Sequence, residues 1–210
     1  MIIAIFGGTG STGKELVKQA LAAGNDVVAY VRNPSKLGIT HEHLTIVKGE
    51  LCDHALIERT VSGAGAVISV LGPRGDSKNK PLTQGMQNII AAMKNRGVRR
   101  LIIASTLSVE DPNDLLEFKA RALVYFVKLT MHAVYEEIIN VAEAVRASDL
   151  DWTIVRLAML NDKPKSGNVR TGYLGTGEVG TWISRADIAD FMLQQVHDTK
   201  FLRRAPAISN

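Results

Sequence analysis

Seven residues, Gly7-Gly8-Thr9-Gly10-Ser11-Thr12-Gly13, combine the types and the spacing that hold a phosphate. Gly7 lets the chain reverse, Gly10 lets the backbone approach a pyrophosphate, and Gly13 lets a following helix lie close to the strand it left. That helix, read as Ser11 to Ala23, points unpaired amides and the positive end of its dipole at the anion. Glycines at 7, 10 and 13 give G-x-x-G-x-x-G, one residue of spacing away from the dinucleotide fingerprint G-x-G-x-x-G. A second chemical signal is Arg32, which closes the apolar run Val27 to Val31. An acidic residue there would accept hydrogen bonds from a ribose 2′-hydroxyl. A guanidinium instead donates two bonds in parallel to a 2′-phosphate, so the position favours NADP over NAD.

These groups work only if the flanking elements place them. Ile2 to Phe6 runs straight into the glycine turn, and Val27 to Val31 follows the helix, which makes a β-α-β unit. Leu44 to Lys48 reads as a strand, Ala55 to Val61 as a short helix and Ala64 to Leu71 as a strand. Pro81 to Arg96 has apolar residues at helical spacing, Leu101 to Ala104 and Trp152 to Leu157 are buried strands, and Arg185 to Val196 is a helix. Such alternation predicts an α/β fold, a doubly wound parallel sheet in three layers α/β/α, because parallel strands need crossovers that cover both faces. Ligands then bind beyond the carboxyl ends of the strands. Residues 1–210 are expected to form a single dinucleotide-binding domain with a small substrate-side portion from 157–183. Lys163 to Gly180, with five glycines, reads as loops and short strands at the mouth of the site. From Asn113 to Asp162 there is neither Gly nor Pro, so long helix is predicted from Asn113. Its apolar first half (Leu115, Leu116, Phe118, Leu123, Val124, Tyr125, Phe126, Val127, Leu129, Met131) fits burial on the sheet, a lid or a dimer face.

Composition narrows the classes. Hydrophobic content of 46% and charged content of 22% are ordinary for a globular chain. A net charge of +4 from 25 basic and 21 acidic residues is too mild for a nucleic-acid binder. Lys94, Arg96, Arg99 and Arg100 bracket a helix end at Gly97, where cations complement the dipole. The basic tail Lys200, Arg203 and Arg204 reads as a solvated end. Cys52 is the single cysteine, so no internal disulfide forms and a reducing compartment is expected. The N-terminus has no charged n-region and no apolar run approaches 18 residues, which predicts a cytoplasmic protein without a membrane span. The five histidines have no zinc-site spacing with Cys52, and His132 is the one placed near a substrate.

Four segments give a resemblance: Gly7 to Gly13, Gly49-Glu50-Leu51, Asp151-Trp152-Thr153-Ile154-Val155-Arg156, and Ile183-Ser184-Arg185-Ala186-Asp187-Ile188-Ala189-Asp190. With them the chain resembles the atypical short-chain dehydrogenase/reductase family of NAD(P)-binding Rossmann proteins. Val70-Leu71-Gly72-Pro73-Arg74-Gly75-Asp76 and Gln87 to Lys94 place it near the flavin reductase, or biliverdin-IXβ reductase, branch. The resemblance implies that Gly7, Thr9, Gly10, Ser11, Thr12 and Gly13 hold the diphosphate and Arg32 the 2′-phosphate. Glu50 and Leu51 would lie by the adenine, although the family usually has Asp at the position of Glu50. Leu71, Gly72 and Arg74 would line the nicotinamide side, Ser105 would lie near nicotinamide and substrate, and Leu157, Ala158 and Met159 would close the pocket. A histidine of the flavin reductases falls about where Met159 stands, so its role does not carry over.

Typical members of the wider superfamily pair a Tyr with a Lys four residues later, the ammonium lowering the phenol pKa for proton transfer. Here Tyr30, Tyr125, Tyr135 and Tyr173 are followed at that distance by Pro34, Leu129, Ile139 and Gly177. Alcohol dehydrogenation loses ground. Reduction of an acceptor that itself stabilises added electrons stays open, because the protein then need only position two rings. Ser105 and Tyr135 are the candidate catalytic side chains, Ser105 as an orienting hydroxyl. The expectation is an NADPH-dependent reductase of a small planar acceptor, a flavin, quinone or tetrapyrrole-like molecule, with no metal. The rival is a non-catalytic NADP sensor of the NmrA-like type. The expected partner is a small molecule, with neither nucleic acid nor membrane, and the expected assembly is a monomer or homodimer.

Overall fold

The computed structural model describes residues 1–73, 79–115, 128 and 130–210. Its strands are β1 (Ile2–Phe6), β2 (Asp26–Val31), β3 (Leu44–Lys48), β4 (Ala66–Ser69), β5 (Arg100–Thr106), β6 (Asp151–Leu157), β7 (Met159–Asn161), β8 (Arg170–Gly172), β9 (Trp182–Ser184) and β10 (Ala207–Ser209). The α-helices are α1 (Ser11–Ala22), α2 (His54–Val61), α3 (Pro81–Asn95), α4 (His132–Arg146) and α5 (Arg185–Gln194). Eight strands form one sheet in the order β3-β2-β1-β4-β5-β6-β10-β8. Neighbours run parallel except β8, which is antiparallel to β10. Strand order reverses direction at β1, between β2 and β4, and that switch is where such sheets open a crevice.

Period-2 alternation divides the core into two layers. Ile3 and Ile5 of β1 face one side, where Leu16 and Val17 of α1 and Ile188 and Met192 of α5 cover them. Ala4 and Phe6 face the other, packed with Ile57 of α2, Ile89 and Met93 of α3, and Ala142 and Val145 of α4. This is the doubly wound α/β sheet of the Rossmann type, with helices on both faces.

Two expectations change. The helix does not begin at Asn113: Asp111 accepts from the Asn113 amide at 3.0 Å, and Asp114 accepts from the Asp111 amide at 2.9 Å, an Asp/Asn turn that competes with helix. Asp114 is also drawn inward, its carboxylate forked onto the fully buried Arg156 of β6 at 2.6 and 2.8 Å. The apolar residues from Leu116 to Val127, and Leu129, lie outside the described residues. Secondly, a strand that the sequence reading did not anticipate follows the solvated basic residues. Lys200, Arg203 and Arg204 are exposed, yet Ala207–Ser209 enters the sheet beside β6 as β10. Pro206 and the shortness of the run hide that strand from a periodicity reading.

The basic cluster near Gly97 is spent on structure. Lys94 pairs with Asp149 at 2.7 Å, Arg96 with Glu58 at 3.1 Å and Arg99 with Asp151 at 3.1 Å. Arg100 donates to the carbonyls of Gln195 and Asp151, and burial lowers its pKa to about 10. Among the described residues no helix is long and apolar enough to cross a membrane. No cluster of three or more His, Cys, Asp or Glu among them could hold a metal ion.

Candidate functional site

A cleft of about 670 Å³ opens at the carboxyl ends of β1, β2, β3 and β4, within the size range of ligand sites. Its floor is the glycine turn. Gly7 has φ +89°, and a Cβ added there would stand 2.9 Å from the Val70 carbonyl carbon at the end of β4. A Cβ at Gly13 would stand 2.2 Å from the Gly7 carbonyl oxygen, so only glycine lets α1 start this close to β1. Gly10 caps α1 without a side-chain hydrogen bond, and no acidic residue lies in the first turn. The first-turn amides therefore remain free for an anion, with the helix dipole behind them.

One end of the cleft is walled by Tyr30, Arg32, Glu50, Leu51 and Cys52. Arg32 follows β2, is exposed, and has no hydrogen-bond or ion-pair partner among the described residues. The Tyr30 hydroxyl donates to the Glu50 carbonyl at 2.6 Å, and a Cβ at Gly49 would collide with that hydroxyl at 2.3 Å. Burial, then the charges of Asp53, Cys52 and Glu50, push the Tyr30 phenol up to about 12, so it stays a donor at neutral pH. From the other side the Asn88 side-chain amide donates to the Leu51 carbonyl at 2.7 Å, and Leu51 fills the space over Gly85, where a Cβ would stand 2.7 Å away. The 49–52 turn is thus clamped between β2 and α3.

The other end is built from Leu71, Gly72 and Pro73 after β4, Leu82 and Gln84 of α3, Glu137 of α4, Leu160 of β7 and Arg185 of α5. Asp187 fixes the start of α5 by accepting from the Ser184 hydroxyl at 2.6 Å and from the amides of Ser166 and Gly167 at 2.9 Å each. Burial works against its ionisation, but these bonds outweigh burial and hold its carboxyl below the usual range. Glu137 is wholly buried, and one of its oxygens accepts from the Leu82 amide at 2.6 Å.

Of the sequence candidates, Gly7, Thr9, Gly10, Ser11, Thr12, Gly13, Arg32, Glu50, Leu51, Leu71 and Gly72 all line this one cleft. Arg74 lies outside the described residues. Ser105 sits half-buried at the end of β5, paired in register with Arg156, and is not among the lining residues. Leu157, Ala158 and Met159 do not line it either, whereas the next residue, Leu160, does. Met159 turns outward beside Trp182 on the β7–β9 ladder, 57% exposed. Tyr135 lines a separate 220 Å³ pocket with Glu110, Ile139 and Arg146. Its phenol is raised by burial and by the nearby Glu110. His132 is exposed and pairs with Glu136 at 3.3 Å. Lining residues with no flag in the sequence include Tyr30, Gln84, Glu137 and Arg185. Nothing local in the sequence marks Leu160 or Glu137.

The fold and the cleft define a dinucleotide-binding α/β protein. The chain belongs to the NAD(P)H-binding family, whose model matches residues 7–199. A (4-alkanoyl-5-oxo-2,5-dihydrofuran-3-yl)methyl phosphate reductase from Streptomyces griseus is 29% identical over 155 residues, 74% of this chain and 46% of that protein. The photosystem II assembly factor Ycf39 of Synechocystis is 29% identical over 111 residues, 51% of this chain and 34% of that protein. The chain therefore spans less than half the length of these curated relatives. A short-chain dehydrogenase/reductase from Veillonella parvula, solved in complex with NADP, superposes with a TM-score of 0.78 at 22% identity, covering 100% of this chain and 94% of that one. ChuY, an anaerobillin reductase from Escherichia coli O157:H7, gives 0.79 at 20% identity, covering 100% and 97%. At these identities the structures show a shared fold.

Proposed function

We propose that the protein is an NADPH-dependent reductase that passes hydride to a small planar acceptor such as a flavin, quinone or tetrapyrrole-like molecule. The observation that carries this reading is one cleft that joins a helix N-terminus without a side-chain cap, and an Arg32 with no partner among the described residues, to an apolar wall of Leu71, Leu82 and Leu160. The turn suits the diphosphate, Arg32 suits a 2′-phosphate, and the apolar wall suits a flat ring stacked beside the nicotinamide. NADPH supplies the hydride, and the chain's residues bind and orient the two partners. None of the four tyrosines is followed four residues on by Lys, which favours an acceptor that takes its proton from solvent over an alcohol substrate. The same absence supports the second reading, an NADP sensor without turnover.

NADPH oxidation followed at 340 nm with FMN and with simple quinones separates the two. Turnover above the protein-free rate supports the reductase. Saturable NADPH binding by calorimetry with no turnover for any of these acceptors overturns it in favour of the sensor.

A further inference from the structure

Among the described residues, Glu137 is the one charged side chain lining the cleft that is wholly buried. One of its oxygens accepts from the Leu82 amide, in the first turn of α3. Its other oxygen, Oε2, is buried and has no hydrogen-bond partner among the described residues. Capping explains the first bond: Lys80, the N-cap of α3, makes no side-chain cap, and a carboxylate suits a helix N-terminus. It does not explain the second oxygen, since a buried acceptor left without a donor is costly and a carboxylate oxygen more so.

The topology says which part of a ligand meets that oxygen. Arg32 and Glu50 follow β2 and β3, on one side of β1, and form the adenosine end of the cleft. α4 packs against α3, β5 and β6, on the opposite side of β1. Glu137 therefore enters the half of the cleft beyond the phosphate turn, where the nicotinamide and the acceptor meet. Among the described residues no Lys, Arg or His is paired with it, and a second carboxylate or a phosphate would be repelled. A neutral donor fits.

We propose that Glu137 Oε2 accepts a hydrogen bond from an O–H or N–H of the bound ligand in the reacting half of the cleft, and so selects ligands that carry such a donor. This rests on the dinucleotide reading above. Two sources share the chemistry, a hydroxyl of the nicotinamide-side ribose and a ring N–H or O–H of the acceptor.

Glu137→Gln keeps an oxygen for the Leu82 amide and sets an amide donor where Oε2 stands. The affinity of the whole protein for NADP, by calorimetry, reads the first source. The affinity of the NADP-loaded protein for FMN, by fluorescence quenching, reads the second without any turnover. The expected result for E137Q is a loss of about tenfold or more in one of the two, with Tm near wild type. Loss of NADP affinity assigns the ribose, and loss of FMN affinity alone assigns the acceptor. Glu137→Ala, which also removes the α3 cap, is expected to lose the same affinity and to lower Tm. If E137Q leaves both affinities within twofold while E137A lowers Tm, Glu137 is a cap only and the proposal is overturned. Failure of the dinucleotide reading shows separately, as a wild-type protein that binds no nicotinamide nucleotide.

Discussion

The two ends of the cleft are built by different means. At one end, which we propose takes the phosphates and adenosine, Gly7 to Gly13 and Arg32 come from one β-α-β unit, and what the turn offers a ligand is largely backbone amides. At the far end, Leu82, Glu137, Leu160 and Arg185 come from α3, α4, β7 and α5, brought together by packing and by buried polar ties. Local construction tolerates little change in backbone shape. Long-range construction depends on ties between distant segments, of which the strongest described is away from the cleft: the Arg156–Asp114 pair ties β6 to the loop after β5 and, through the Leu174 amide at 2.9 Å, to the segment after β8.

The largest effect on this contrast should come from Gly13→Ala, whose Cβ must displace the Gly7 carbonyl oxygen, 2.2 Å away in the present backbone. Calorimetry is expected to show no saturable NADP binding, with the helical circular dichroism retained. Binding at wild-type affinity would mean the turn is not the phosphate site.

Asp114→Ala attacks a long-range tie instead. It leaves the guanidinium of Arg156, fully buried, with one carbonyl partner from Val109 and another from Ala205, and should cost about 3–5 kcal/mol in urea unfolding. A pH dependence accompanies it. Burial raises the Asp114 carboxyl, but the Arg156 bond and the amides of Asp111 and Leu174 outweigh burial and hold it below its ordinary value. A depressed carboxyl contributes stability that is present above the unfolded pKa, about 3.9, and lost as pH falls through the folded value. Wild type should therefore lose stability below pH of about 4 more steeply than Asp114→Asn. Equal slopes would show that Asp114 is not the responsible group.

A smaller and more specific change is expected for Arg32→Ala. Loss of a charge-assisted bond to the 2′-phosphate should reduce the preference for NADP over NAD by about tenfold to a hundredfold. An unchanged ratio of the two affinities would remove Arg32 from the site. Ser105→Ala should do least, because Ser105 is not among the lining residues. NADP affinity is expected to move by less than about twofold, within the scatter of surface changes. A larger loss would place the end of β5 in the site and blur the contrast between the two ends.

What could be read from the chain alone follows the same division. Strand, turn and helix from Ile2 to Ala22 are dictated by contiguous residues, with apolar alternation, glycines where a Cβ has no room, and a helix start with free amides. Arg32 needed only its place after an apolar run. Alternating elements were enough for a parallel sheet covered on both faces. Tertiary structure alone decided the rest. The strand Ala207–Ser209 is three residues long and owes its place to β6 and β8. Residues 113–115 leave the helical pattern because Asp114 binds an arginine 42 positions away. Glu137 and Leu82 are separated by 55 residues and meet only when α3 and α4 pack. Local pattern carries backbone shape, since sterics and hydrogen bonding act within a few residues. Which side chains converge on the far end is set by packing between distant elements, and no short window of sequence holds that information.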